Sequence, residues 1–292
     1  MPLFTGSGVA LATPMNGGAI DWEGFGRLVD YQLENGTDAL IVCGTTGEPS
    51  TLSEDEWAQA IRFVVERTAK RVPVIAGAGS NNTAHVVELC HRAEGMGVDG
   101  LLVVTPYYNK TTQGGLVAHF KAVAEAVHTP VIVYNVPVRT GLNMKAETVA
   151  ALAGVANIHG VKEASGDMGQ VADIARLCGG KLAIYSGADD VNLPILALGG
   201  AGVVSVTGNV APRHCSAMTE RWFAGDTAEA RRIFLDLMPL NTALFVETSP
   251  MPLKAALQML GICTDEVRLP LIPAADATRA KLREAMAGLG LV

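Results

Sequence analysis

Short, nearly continuous apolar runs alternate along this chain with longer amphipathic stretches. The runs fall at 8–12, 39–43, 72–76, 100–104, 131–134, 158–162, 182–185 and 203–206. They are rich in Val and Ile, which suits strands buried on both faces, as in a parallel sheet. Between them, apolar positions recur at a spacing of three and four. Over 53–69, Trp57, Ala60, Ile61, Val64, Val65 and Thr68 share one side of a helix. Ser53 followed three positions later by Glu56 reads as a capping box. Over 83–96, Val86, Val87, Cys90, Ala93 and Glu94 keep the same period, and Gly97 closes it. Further helices are expected over 21–35, 113–127, 145–153, 168–177 and 191–198.

Strand and helix patterns therefore alternate through the first 210 residues, which argues for an α/β fold. An eight-strand barrel and a doubly wound sheet both read this way. From about Ala211 the pattern changes to helices alone, at 212–223, 227–247, 251–260 and 274–287, with Pro239 expected to bend or break the second. Eight strand–helix units and a helical tail fit a (β/α)8 TIM barrel with a C-terminal helical extension. The expected division is 1–210 for the barrel and 211–292 for a helical region that includes the last barrel helix. In such a barrel the chemistry sits at the C-terminal ends of the strands.

Composition narrows the possibilities without naming an activity. With 292 residues, 49% of them hydrophobic and 17% charged, the chain can bury a large core and is not disordered. Its net charge is −7 and its 22 Lys and Arg are scattered, a poor match for nucleic acid. No apolar run approaches the roughly 20 residues of a membrane span. The start, Met1-Pro2-Leu3-Phe4, lacks a charged lead-in to a long apolar stretch, so a cytoplasmic location is expected. Five cysteines without a CxxC pair read as reduced, buried thiols, Cys43 among them. Six histidines show no metal-ligand spacing. There is no Walker A sequence, no complete dinucleotide fingerprint after Gly77-Ala78-Gly79, and no GxSxG elbow.

The strand ends hold the candidate chemistry. Gly44-Thr45-Thr46-Gly47-Glu48 offers free N–H groups and two hydroxyls, able to hold a carboxylate or relay a proton, or else forms an ordinary turn. Tyr107-Tyr108-Asn109-Lys110 places two of the five tyrosines together, as core, proton relay or interface plug. Tyr134 is followed by a proline-fixed turn carrying Arg139, which suits bidentate recognition of a carboxylate or caps a helix at the surface. Lys162 ends an apolar strand. Burial there favours the neutral amine that Schiff-base chemistry needs, unless Glu163 or Glu48 pairs with it. Gly187 and Val204 read as floor and wall, and Asp189 or Asp190 as the cap of the next helix.

Taken together and in order, these segments resemble the dihydrodipicolinate synthase family of pyruvate-dependent class I lyases and aldolases, over essentially the whole chain. Lys162-Glu163-Ala164-Ser165-Gly166 and Pro250-Met251-Pro252-Leu253-Lys254 belong to the same likeness. The resemblance implies that Lys162 forms an iminium with pyruvate and that the derived enamine attacks L-aspartate 4-semialdehyde. It implies a proton relay of Tyr134, Thr45 and Tyr108. It gives the pyruvate carboxylate to Thr45 and Thr46, the semialdehyde carboxylate to Arg139, and the pocket lining to Gly187 and Val204. No metal or organic cofactor is implied, since the lysine is itself the electron sink. Tyr108 is implied to reach a neighbouring subunit's site, hence a homo-oligomer, in the family a tetramer built as a dimer of dimers.

Related sialic-acid lyases usually lack an arginine at this position, so Arg139 favours the semialdehyde. The alternatives are an N-acetylneuraminate lyase, a 2-keto-3-deoxy sugar acid aldolase, or a silent barrel that binds a small acid. Regulated members place polar and acidic residues near Tyr107 and Asn81. This chain has Pro49, Glu54, Trp57 and His85 there, so weak or absent inhibition by lysine is expected.

Overall fold

The computed structural model describes residues 2–292. In chain order the strands are β1 (Gly6–Ala10), β2 (Met15–Asn16), β3 (Ala19–Ile20), β4 (Ala39–Val42), β5 (Val74–Gly77), β6 (Gly100–Val104), β7 (Val131–Asn135), β8 (Ile158–Glu163), β9 (Ala183–Ser186) and β10 (Gly202–Ser205). The helices are α1 (Trp22–Glu34), α2 (Glu54–Thr68), α3 (Thr83–Glu94), α4 (Gln113–Ala126), α5 (Pro137–Thr140), α6 (Ala146–Leu152), α7 (Met168–Cys178), α8 (Asn192–Ala197), α9 (Pro212–Phe223), α10 (Thr227–Ala243), α11 (Met251–Met259) and α12 (Asp276–Gly288).

Eight strands close into a barrel in the order β1-β10-β9-β8-β7-β6-β5-β4, and β2 with β3 makes a separate antiparallel hairpin. The pairings β1–β4 and β5 through β10 are parallel. Parallel strands covered by helices bury both faces, which is why β1, β4, β5 and β7 are buried at every position. The expected capping box exists: the Ser53 hydroxyl accepts from Glu56 N–H while the Glu56 carboxylate accepts from Ser53 N–H. Among the described residues no helix is long and apolar enough to cross a membrane.

The structure departs from the sequence pattern in three places. The β2–β3 hairpin was not foreseen, because two-residue strands leave no periodic signal. The regular part of α3 ends at Glu94, two residues short of Met96; the exit tightens through Met96 N–H to the Ala93 carbonyl at 2.9 Å and closes at Gly97, which takes φ +78° and donates to the Glu94 carbonyl at 3.1 Å. Pro239 does not break α10, which runs through it. The carbonyl deprived of its donor belongs to Leu235, an exposed residue, where water can serve it.

The chain forms two compact units. One is Pro73–Val204 with the N-terminal residues up to Thr5; the other is Gly6–Val72 with Ser205–Val292. In the first, Phe4 stacks on Tyr185 with ring centroids 4.5 Å apart. The Tyr185 hydroxyl accepts from Leu3 N–H and donates to the Phe4 carbonyl, fastening the N-terminal residues beneath β9. In the second, Asn209 is threaded between backbone groups of the first strand's end, accepting from Ala12 N–H and donating to the Ala10 carbonyl.

Candidate active site

In the first unit, β7 and β8 run in register, with Tyr134 beside Lys162 and Asn135 beside Glu163. Register neighbours in a ladder share a face, and successive residues alternate faces. Tyr134 and Lys162 therefore stand together, and Asn135 and Glu163 stand on the opposite side. The Lys162 Nζ lies 4.4 Å from the centroid of the Tyr134 ring. Glu163 is occupied elsewhere: its carboxylate accepts from Asn135 Nδ2 at 3.0 Å, from Ser165 N–H at 2.7 Å and from Gln170 Nε2 at 3.3 Å. It is not the ion-pair partner of Lys162, because strand alternation points it away.

Lys162 is only 4% exposed. Burial lowers its pKa to about 8; the negative charge of Asp189 works against that shift and the positive charge of Arg139 adds to it. Among the described residues no carboxylate lies within ion-pairing distance of its nitrogen. Gly187 makes room for the side chain. A Cβ there would come within 2.9 Å of Lys162 Cε and of the Ala164 Cβ, and 3.0 Å of Lys162 Cγ. Val204, near the end of β10, is buried.

Asp189 was expected to cap a helix, and neither it nor Asp190 does. The turn at Asp189–Val191 is preceded by Ala188, and α8 by Val191. Asp189 is buried instead, accepts from Asn192 Nδ2 at 3.0 Å, and acts on Lys162 through its charge. Sequence offers no signal for this, because Asp-Asp ahead of a helix looks the same in either role.

Arg139 is exposed on α5, a four-residue helix where only a proline-fixed turn was foreseen. Thr140 anchors that turn, its hydroxyl 3.0 Å from the Leu142 carbonyl and 3.3 Å from the Thr105 hydroxyl. Tyr108 is 89% exposed with φ +67°, so it is not packed against Lys162 within its own chain. The loop carrying it is pinned by Asn109 Nδ2 donating to the Asn81 carbonyl at 3.0 Å.

In the second unit, Thr45 and Thr46 sit in a tight turn, Thr45–Gly47, that follows β4. Non-glycine residues in the left-handed region bracket it, Cys43 at φ +54° and Glu48 at φ +56°. Burial pushes the Cys43 thiol far up, which leaves it unreactive. Glu48 pairs with Lys254, Nζ to Oε1 being 2.6 Å, and not with Lys162. Lys254 had only the family likeness to mark it, although one charge inside the apolar run of α11 was a signal. All five cysteines are buried, and none forms a disulfide. Among the described residues no group of His, Cys, Asp and Glu could hold a metal ion.

Residues 3–288 match the dihydrodipicolinate synthetase family. A protein of Thermoanaerobacter sp. (strain X514) named 4-hydroxy-tetrahydrodipicolinate synthase is 52% identical over all of this chain and 99% of its own length. The crystal structure of dihydrodipicolinate synthase from Thermotoga maritima superposes with a TM-score of 0.98 at 44% identity, over 99% of this chain and all of that one. The chloride-inhibited dihydrodipicolinate synthase from Acinetobacter baumannii, solved in complex with pyruvate, gives a TM-score of 0.97 at 42% identity, over 99% of both chains.

Proposed function

This chain belongs to the dihydrodipicolinate synthetase family, and on that premise we propose how its residues condense pyruvate with L-aspartate 4-semialdehyde. Lys162 Nζ adds to the C2 carbonyl of pyruvate, and loss of one water leaves an iminium. The cationic nitrogen draws electrons from the C3 methyl, a proton leaves, and an enamine forms. Its C3 attacks the aldehyde carbon, whose oxygen takes up a proton. The amine of the former semialdehyde then attacks C2 and displaces Lys162, releasing 4-hydroxy-tetrahydrodipicolinate with no second water lost.

The observation that carries this reading is the placement of Lys162: buried, held to about 8, and stacked over the phenol of Tyr134. An amine near neutrality at working pH is a nucleophile; an ordinary lysine is not. Tyr134 is the acid and base nearest that nitrogen. Thr45 and Thr46 receive the pyruvate carboxylate. Thr45 passes protons onward to Tyr108, which is supplied by a neighbouring subunit. The exposure of Tyr108 supports that role, and with it a homo-oligomer, a tetramer of two dimers. Arg139 receives the semialdehyde carboxylate, and Gly187 and Val204 line the pocket. Buried cysteines without disulfides suit the reducing cytoplasm.

Borohydride added with pyruvate should leave a reduced adduct on Lys162, found by intact mass and peptide mapping. An unchanged mass ends the reading. Arg139→Ala should raise the KM for the semialdehyde more than that for pyruvate. Equal turnover of N-acetylmannosamine would instead favour a sugar-acid aldolase.

A further inference from the structure

The turn that carries Thr45 and Thr46 is bracketed by two residues in a backbone region that side chains disfavour, Cys43 and Glu48. Such geometry persists only where the surroundings over-determine it. At Glu48 they do. Its carboxylate is 2.6 Å from Lys254 Nζ on one oxygen and accepts Arg268 N–H at 3.2 Å on the other. Lys254 also donates to the Glu266 carbonyl at 2.7 Å. The Glu266 carboxylate in turn takes the N–H groups of Gly17 and Gly18, at 2.7 and 2.6 Å. Arg268 grips the far side: its guanidinium donates to the Thr51 carbonyl and the Gly18 carbonyl, each at 2.7 Å, and forks onto the Glu56 carboxylate. Within the turn itself, the Thr13 hydroxyl donates to the Gly47 carbonyl at 2.8 Å.

Both members of the Glu48–Lys254 pair are closed off from water, with side chains 2% and 0% exposed. No step of the reaction uses either one. A buried ion pair is weak evidence of a stability role, since an apolar pair of similar volume often does as well. Its use lies in geometry, because a carboxylate caught from two sides can be in only one place. That place is the residue immediately after Thr45-Thr46-Gly47.

We propose that Lys254 and Arg268, acting through the Glu48 carboxylate, are positioning residues that hold Thr45 and Thr46 in the conformation that receives the substrate's carboxylate. The helical tail thereby sets how well the enzyme captures pyruvate. This rests on the reading that Thr45 and Thr46 bind pyruvate, and the experiment separates the two.

The test compares Lys254→Met, Lys254→Arg and the neutral pair Glu48→Gln with Lys254→Met. Each is assayed for the KM of both substrates, for kcat and for thermal unfolding. Misplacement of a binding group by about an ångström can cost about a hundredfold, so Lys254→Met should lower kcat/KM for pyruvate by about tenfold to a hundredfold. The KM for the semialdehyde should stay within about twofold, since the displaced groups are those assigned to pyruvate. Lys254→Arg should recover part of the loss. The neutral pair should unfold near the wild-type temperature and still bind pyruvate poorly, and it decides the matter alone if Lys254→Met does not fold. A neutral pair that folds normally and captures pyruvate normally overturns the proposal. Thr45→Val and Thr46→Ala with normal pyruvate kinetics overturn the underlying reading, and the proposal with it. Impaired threonine variants beside an unimpaired neutral pair overturn the positioning role alone.

Discussion

Lys162 and Lys254 are both nearly excluded from water, 4% and 0% exposed, yet their surroundings differ in one respect. Lys254 meets a carboxylate at 2.6 Å and a backbone carbonyl at 2.7 Å. Lys162 meets the face of a tyrosine ring and feels Asp189 only through its charge. Burial pulls the pKa of each downward. At Lys254, Glu48 pulls back and the side chain stays an ammonium strut. At Lys162 no close anion compensates, and the amine is left in the state that its proposed Schiff-base role requires. What distinguishes a reactive buried lysine from a structural one is therefore the company it keeps, not the depth of burial.

The sharpest way to break this comparison is to replace each lysine by methionine. Lys162→Met should abolish turnover and the borohydride-trapped adduct, a loss of at least about 10⁴-fold for a missing nucleophile. Its stability in urea should not fall, because an ammonium held at a cost is removed. Lys254→Met should do the reverse. It leaves the Glu48 carboxylate buried without its counter-charge, which costs about 3–5 kcal/mol, while the adduct on Lys162 still forms at saturating pyruvate. Destabilisation by the first substitution, or none by the second, would show that the two environments are alike.

Tyr134→Phe keeps the ring against Lys162 but removes the hydroxyl. Loss of a general acid and base is worth about 10²–10⁴-fold, so kcat should fall in that range while the adduct still forms slowly. A kcat within about threefold of wild type would place the proton transfers elsewhere.

The pH dependence is smaller but more diagnostic. Below about 8 Lys162 holds its proton and is not a nucleophile, so the rate of adduct formation with pyruvate alone should fall as pH drops, and level off above about 8. Asp189→Asn removes a negative charge that favours the ammonium, so the inflection should move to lower pH. Arg139→Ala removes a positive charge that disfavours it, so the inflection should move to higher pH. Shifts in one direction for both variants would refute the assignment of the two fields. The smallest effect concerns regulation: millimolar lysine should change the initial rate by less than about twofold, as measured at subsaturating pyruvate. At the positions where regulated members carry polar and acidic groups, Trp57 is buried in α2 and His85 is 3.6 Å from Glu88.

Much of this was legible along the chain. The eight strands could be read because each is a short apolar run whose two faces are both covered, and burial of that kind leaves a dense, local signal. Lys162 stood out because one charge ends such a run. The hairpin Met15–Ile20 and the helix α5 were not visible, being too short to show a period. Asp189 was misread because capping and burial make the same demand on residue type. Lys254 escaped a role because its partner lies more than two hundred residues away.

The sequence by itself determined which segments are strands and helices, which strand ends carry polar and titratable side chains, and the family they resemble. These follow from periodicity and residue type, which are local. The tertiary structure alone decided that Lys162 lies over Tyr134 and not beside a carboxylate, that Glu163 faces away, and that Glu48 is claimed by Lys254. Pairing of charges and the dielectric around an amine depend on which distant residues the closed ladder and the helical tail bring within a few ångströms, and no local pattern encodes that.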